Sequence, residues 1–444
     1  MSIDHALLEE ETIDLVRDLI RIETVNTGDA EIGDGEARAA RYVATRLAEA
    51  GIGSEYVEPA PGRGNLVARI PGSDPSAGAL VVHAHLDVVP VDGAWTVPPF
   101  AAEVLDDRRH GEVLYGRGAV DMKGFAGTVV AAARALRRAR VVPRRDLVLA
   151  FFADEEAGGT WGAQWLVEHR RDLFDGATEA IGEVGGFSVP VAGVARRAYL
   201  LATAEKGVGW GILRARGTAG HASRPTRDSA VARIARAVAA VHDHEFPVRR
   251  TEATAAFLAA FGELTGRDLT GDGAGLDREL DRLGFVGEIA RAGLRNTATP
   301  TVLSAGRKAN VIPGEALAEI DTRILPGCEG EVEREVERLV GDGVEVEWRS
   351  MPPIAAPAGA PLVEALRAAV AADDPDGVVV PYLLPASTDN KNLARLGIAG
   401  YGFAPLRVPD DFDAFGMFHA VDERVPLSAL RFGARVTARI FRTA

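Results

Sequence analysis

Five short segments of this 444-residue chain carry histidines and carboxylates in patterns that could hold cations. In Val81-Val82-His83-Ala84-His85-Leu86-Asp87, strand alternation puts His85 and Asp87 on one face. The carboxylate can then accept the imidazole's second N–H and leave the other ring nitrogen for a metal. His83 shares that face and is read as a supporting or structural histidine. Taken alone, a His-x-Asp pair is more often a satisfied histidine at a buried strand end.

The second segment, Tyr115-Gly116-Arg117-Gly118-Ala119-Val120-Asp121-Met122-Lys123-Gly124, sets an aspartate among glycines at the mouth of an expected helix. Two oxygens let one carboxylate bridge two cations, although an N-cap aspartate after a glycine turn reads equally well. The third, Asp154-Glu155-Glu156, follows an apolar strand. Three acids there are costly unless a cation or solvent neutralises them. One glutamate can ligate while its neighbour handles protons; a solvated acidic loop is the alternative. Glu183, beside small residues, and His419, after a glycine and aromatic loop, complete the set. Singly none of these decides anything. Together, two histidines and three carboxylates beyond a base are what a two-cation oxygen and nitrogen site requires.

The elements that would position these groups alternate. An amphipathic helix capped by Asp4 comes first, then a helix from about Glu36 to Ala50 ending at Gly51. Strands are expected at Asn65–Ile70, Ala79–His83 and Leu147–Phe152, with a helix around Gly124–Arg137. Such alternation predicts an α/β fold, a central mostly parallel sheet flanked by helices. The middle reads β-α-β-β-α-β, an inserted α+β sandwich serving as lid and dimerisation domain. It carries an irregular, glycine-rich stretch between about Phe246 and Pro300. The expected division is a catalytic domain in two parts, residues 1–201 and 351–444, interrupted by a lid at 202–350. No internal repeat or low-complexity tract is visible.

Composition narrows the function classes. At 47% apolar and 26% charged residues, the chain is an ordinary globular one. Its 50 basic and 64 acidic side chains give a net charge of −14, which argues against nucleic acid and anionic membranes as partners. Apolar runs are too short to span a bilayer, and the N-terminus shows no signal-peptide pattern. With one cysteine, Cys328, no internal disulfide can form, and a cytoplasmic protein is the expectation.

The order of the segments resembles the co-catalytic zinc hydrolases that include aminoacylase, acetylornithine deacetylase, succinyl-diaminopimelate desuccinylase and glutamate carboxypeptidase. The resemblance covers nearly the whole chain through HLDVVP, GRGAVDMKG, DEEAGG, GEVGG, GTAGHASRP, NVIP, DTRILPG, STDNK and HAVDERV. It implies hydrolysis of an amide beside a free carboxylate, in an N-acyl amino acid, a dipeptide or a C-terminal residue. It implies two divalent ions per subunit, zinc with cobalt or manganese as alternatives. His85 and Glu183 would hold one ion, Glu156 and His419 the other, and Asp121 would bridge them. Asp87 would orient His85, and Glu155 would be the general base. His221 would reach into the site of a second subunit of a homodimer, while Asn310, Arg323 and Lys391 would meet the substrate carboxylate. Asp321 and Arg323 could instead form a surface ion pair. Three positions depart from the family pattern: Val184 and Ala420 stand where glycine is usual, and Lys391 where arginine is common. The competing function is a binding protein that kept the fold without turnover.

Overall fold

The computed structural model describes residues 3–28, 35–191, 193–224 and 226–444; of the motifs above, only Pro225 lies outside them. A ten-stranded mixed sheet forms the centre. Its middle strands, Leu147–Phe152, Ala79–His85, Ala177–Gly182 and Ala399–Gly402, are parallel neighbours in that order. Antiparallel strands Asn65–Ile70 and Ser54–Val57 extend one side. On the other side lie Ala198–Glu205 and its parallel partner Val378–Leu384.

Ala79–His85 and Leu147–Phe152 are buried along their whole length. A strand covered on both faces reads as a continuous apolar run, which is how these segments read. The covering helices are His5–Arg21, Lys123–Ala139 and Leu427–Thr443 on one face. Asp4 caps the first of them, accepting the Leu7 N–H at 3.2 Å. Each fully buried leucine, valine or phenylalanine contributes roughly 1.5–3 kcal/mol to this packing.

The chain leaves this sheet at Lys206 and enters a four-stranded antiparallel one ordered Thr297–Ala305, Glu315–Ile324, Gly207–Arg216, Val344–Met351. Helices Ala230–His242 and Glu331–Val340 cover one face of it through Ile234, Ala237, Val241, Val332 and Val336. This is the expected sandwich. Thr297–Ala305 is an edge strand that exposes Val302 (45%) and Leu303 (58%).

Residues 246–300 differ from the sequence reading. They contain three helices, Glu252–Thr265, Gly273–Arg282 and Phe285–Leu294. Their glycines punctuate rather than unfold them: Gly266, at φ 67°, ends the first helix. Gly287 packs so closely that a Cβ would meet the Leu280 carbonyl at 1.9 Å. The helices exist because Phe257, Phe261, Leu280, Ile289 and Leu294 are buried in one cluster with Val380, Tyr382 and Leu384 of the large sheet. Helices of 10–14 residues are marginal alone, and tertiary burial is what fixes them. They therefore pack on the large sheet as well as being inserted in the lid sequence. Among the described residues, no helix is long and apolar enough to cross a membrane.

Candidate metal centre

Three ligand candidates, His85, Glu156 and Glu183, and the expected base Glu155 come from adjacent parallel strands. His85 ends its strand, Glu155 and Glu156 follow Leu147–Phe152, and Glu183 follows Ala177–Gly182. Parallel neighbours present their carboxyl ends on one edge, the usual place for a site in an open α/β sheet. Asp121 sits two residues before the helix Lys123–Ala139. His419 arrives on the loop before Arg424–Pro426, which pairs antiparallel with Gly111–Tyr115 and so lies beside the Asp121 loop.

The convergence is tight. His85 Nε2 lies 3.1 Å from Asp121 Oδ1 and 3.4 Å from Glu183 Oε2. His419 Nε2 lies 3.1 Å from Asp121 Oδ2 and 3.2 Å from Glu156 Oε2. Among the described residues, two groups have the spacing of metal ligands: His85, Asp121 and Glu183, and Asp121, Glu156 and His419. Asp121 is shared, with one oxygen turned to each histidine.

The donor set fits a pair of divalent cations. Burial and then the Asp121 carboxylate push Glu156 up to about 7. Hydrogen bonds to Asp121 and Glu156 push the His419 imidazole up to about 10. Desolvation works against the charged form of His85, yet the carboxylates of Glu183, Asp121 and Asp87 hold it well above its ordinary value. Two divalent cations held between these imidazoles and carboxylates would supply the positive charge that this group of acids demands. Glu156 Oε1 is buried and finds no hydrogen-bond partner among the described residues.

Asp87 acts differently from the simplest expectation. His85 Nδ1 donates to the Asp87 backbone carbonyl at 3.0 Å, with the carboxylate Oδ1 at 3.4 Å. That carboxylate accepts the backbone N–H groups of Glu155 at 3.2 Å and Glu156 at 3.0 Å, and the Asn26 side chain at 2.9 Å. The Asp87 backbone carbonyl therefore orients the imidazole, while its carboxylate ties the two neighbouring strand ends together. The Glu155 carboxyl hydrogen-bonds Glu183, and desolvation together with that neighbour holds it well above the usual carboxylate range.

Several contributors were not singled out in the sequence. Glu423, fully buried, accepts the N–H groups of Gly118, Val120 and Asp121 at 2.7–2.9 Å and an Arg117 N–H at 2.9 Å. Arg117 also donates to the His419 carbonyl at 3.3 Å. One carboxylate thereby fastens the loop carrying Asp121 to the segment carrying His419. Asn26 reaches from Asp87 to Asp154 (3.1 Å) and accepts from Arg63 at 2.9 Å. Asp389, raised by burial and by Glu183, sits beside the same cluster. Glu423 and Asp389 lie inside quoted segments; only their partners in space reveal what they do.

Val184 adopts φ 54°, left-handed backbone that suits glycine and strains a β-branched residue by about 1–3 kcal/mol. This accounts for the glycine expected after Glu183. Gly182 is required from the other side: a Cβ there would meet the His83 ring at 2.2 Å. His83 itself is buried and bonded to Asn390 Oδ1 at 2.9 Å, a structural histidine outside the cluster. Tyr382 and Tyr401 are fully buried core residues.

The remaining candidates are not in the cluster. His221 is exposed on the strand Gly220–His221, paired with Val311–Ile312 beside Asn310. Its hydrogen bonds go to Ser223, not to the metal centre of its own chain. Arg323 is held bidentately by Asp321, at 2.7 and 3.1 Å, the ion pair that was the alternative. The Lys391 ammonium donates to the Lys206 carbonyl at 2.5 Å; burial lowers it to about 8, with Glu205 opposing and Arg323 reinforcing that shift.

Residues 81–443 match the model of the peptidase family M20/M25/M40. The chain belongs to that family. Among curated relatives, the N-fatty-acyl-amino acid synthase/hydrolase PM20D1 of Homo sapiens is 28% identical over 81% of this chain and 73% of its own length. Aminoacylase-1 of Homo sapiens is 26% identical over 97% and 95% of the two chains. Among solved structures, the M20 family metallo-carboxypeptidase Sso-CP2 from Sulfolobus solfataricus superposes with a TM-score of 0.70 at 15% identity, covering 97% and 98% of the chains. The M20 chain is accordingly a hydrolase of amide bonds whose fold brings together the side chains for two divalent metals.

Proposed function

We propose that this chain is a zinc-dependent amidohydrolase that cleaves an amide next to a free carboxylate, with an N-acyl amino acid favoured over a dipeptide or a C-terminal residue. The observation that carries the reading is Asp121, one oxygen turned to each of two histidine-centred groups, with Glu155 beside them. His85 and Glu183 would hold one cation and Glu156 and His419 the other. Bound there, paired divalent cations would lower the pKa of the attacking water towards ~7 and polarise the scissile carbonyl.

The side chains do the rest. Glu155, hydrogen-bonded to Glu183, would take the proton of the attacking water as a carboxylate and return it to the leaving nitrogen as a carboxylic acid. Asp87 keeps the His85 proton on Nδ1 and the ligating nitrogen free. The preference for an N-acyl amino acid is supported by the similarity to PM20D1, whose name states that class, and to aminoacylase-1. Asn310 and Lys391 are the residues left for the substrate carboxylate, Lys391 as a point charge that would have to leave the Lys206 carbonyl, whereas the Arg323 fork is taken by Asp321 and would have to exchange that partner. The direct test is release of free amino acid from a panel of N-acyl amino acids and dipeptides by zinc- and cobalt-loaded protein. Cleavage of none of them would overturn the reading and favour a binding protein.

The same reading makes the molecule a cytoplasmic homodimer assembled through residues 202–350. The exposed edge strand with Val302 and Leu303 is suited to strand-to-strand pairing with a second copy. Because the Ser223 backbone N–H donates to His221 Nδ1 at 3.2 Å, the ring proton resides on Nε2, free to donate outward. Reaching the partner's site, it would stabilise the oxyanion, a contribution of roughly 3–4 kcal/mol. Neither His221→Ala nor Glu155→Gln protein alone should turn over substrate well. Reassociated as an equal mixture, they should regain about a quarter of wild-type activity, because each mixed dimer carries one complete site. A mixture as inactive as its components would place His221 in its own subunit or outside the chemistry.

A further inference from the structure

Val184 stands in left-handed backbone directly after Glu183, where glycine would be at ease, and some contact must hold it there. The turn around it is tightly packed. The Phe403 N–H donates to the Gly182 carbonyl at 2.8 Å, and the Ala404 N–H to the Gly185 carbonyl at 2.9 Å. A Cβ on Gly402 would meet the carbonyl oxygens of Glu183 and Val184, each at 2.5 Å, so the end of strand Ala399–Gly402 lies directly against the turn. The Val184 carbonyl is met by a side chain instead. It accepts the Tyr382 hydroxyl at 2.8 Å, from 198 positions away in the chain.

That hydroxyl is carried on a ring with little freedom. Tyr382 is fully buried in strand Val378–Leu384, the parallel partner of Ala198–Glu205. The inserted helices Glu252–Thr265 and Phe285–Leu294 pack on the same strand, and Phe257, Leu258 and Ile289 lie in one apolar cluster with the ring. A carbonyl can only accept, so the phenol is the donor. A hydroxyl this deep is costly to leave unpaired, and the Val184 carbonyl is the partner it finds.

We infer that Tyr382 is a positioning residue for the metal centre. Its hydroxyl holds the Val184 carbonyl, keeps a valine in a turn that suits glycine, and so fixes the Glu183 carboxylate 3.4 Å from His85 Nε2. This rests on the assignment of Glu183 as a ligand. It also gives the two inserted helices a part in the centre, since they back the ring that reaches it.

Cation affinity tests the idea apart from turnover. Metal-free protein would be titrated with cobalt against a competing chelator, and the two binding constants compared among variants. Tyr382→Phe removes one oxygen and keeps the ring. It should weaken one site by about 10–100-fold, the effect of removing a group that orients a ligand, and leave the other as in wild type. Glu183→Ala identifies the affected site: adding Tyr382→Phe to it should weaken binding no further, because no ligand remains to be oriented. Val184→Gly should restore most of the affinity lost in Tyr382→Phe, since glycine keeps left-handed backbone unaided. Both sites unchanged in Tyr382→Phe, both weakened alike, or no recovery with Val184→Gly overturns the positioning role. If Glu183→Ala loses one cation while Tyr382→Phe loses none, the ligand assignment stands and only the role of Tyr382 falls. Two intact sites in Glu183→Ala would remove Glu183 from the ligands, and the inference with it.

Discussion

Glu155→Gln should lower kcat by about 10²–10⁴, the range that a positioned proton-transfer group supplies, while the protein still carries two cations per chain. The substitution keeps the size of the side chain and removes only its ability to take and return a proton. None of the four short imidazole–carboxylate contacts that define the two metal groups involves Glu155. The backbone of residue 155 stays anchored because its N–H is held by Asp87 Oδ1. Unfolding should therefore occur near the wild-type midpoint. Rate measurements under saturating substrate, paired with metal analysis of the same sample, separate the roles. A variant with full metal and an unimpaired rate would remove Glu155 from the chemistry.

Asp121→Asn should have the larger effect on the centre itself. An asparagine offers one carbonyl oxygen where the aspartate turns an oxygen to each histidine; the other position becomes an –NH₂ that cannot ligate. Cation content should drop from two per chain to about one, and kcat/KM should fall at least about a thousandfold as charge stabilisation in the transition state is lost. The fold should survive, since Glu423 grips the backbone N–H of residue 121 rather than its side chain. The experiment is metal counting after desalting, beside kcat/KM on the best substrate. Two cations retained at wild-type rate would mean that Asp121 does not bridge, and a one-metal mechanism would replace the present one.

His85, Asp121, the pair Glu155 and Glu156, Glu183 and His419 stood out in the chain as candidates because each sits in a local context with a chemical reason: a strand end, a glycine turn, an acid cluster after an apolar run; which of the two glutamates ligates and which serves as base came only from the resemblance. The departure at Val184 was visible too, although its left-handed backbone was not. Glu423 and Asn26 were illegible as participants. Each works by reaching groups distant in the chain, Glu423 bonding residues about 300 positions earlier and Asn26 bonding Asp87 and Asp154. Spacing along a sequence carries no trace of such partners.

Sequence alone pointed to a two-cation site, the alternation that builds the sheet and the sandwich inserted into it, because these follow from residue type and local periodicity; the hydrolysis of an amide was implied only by the resemblance to a known family. Only the tertiary structure decided that Asp121 faces both histidines, that Asp87 works through its backbone carbonyl, and that the glycine-rich middle folds into three helices against the large sheet. Those outcomes depend on which surfaces meet. Burial and hydrogen-bond satisfaction are settled between segments hundreds of residues apart, after local propensity has had its say.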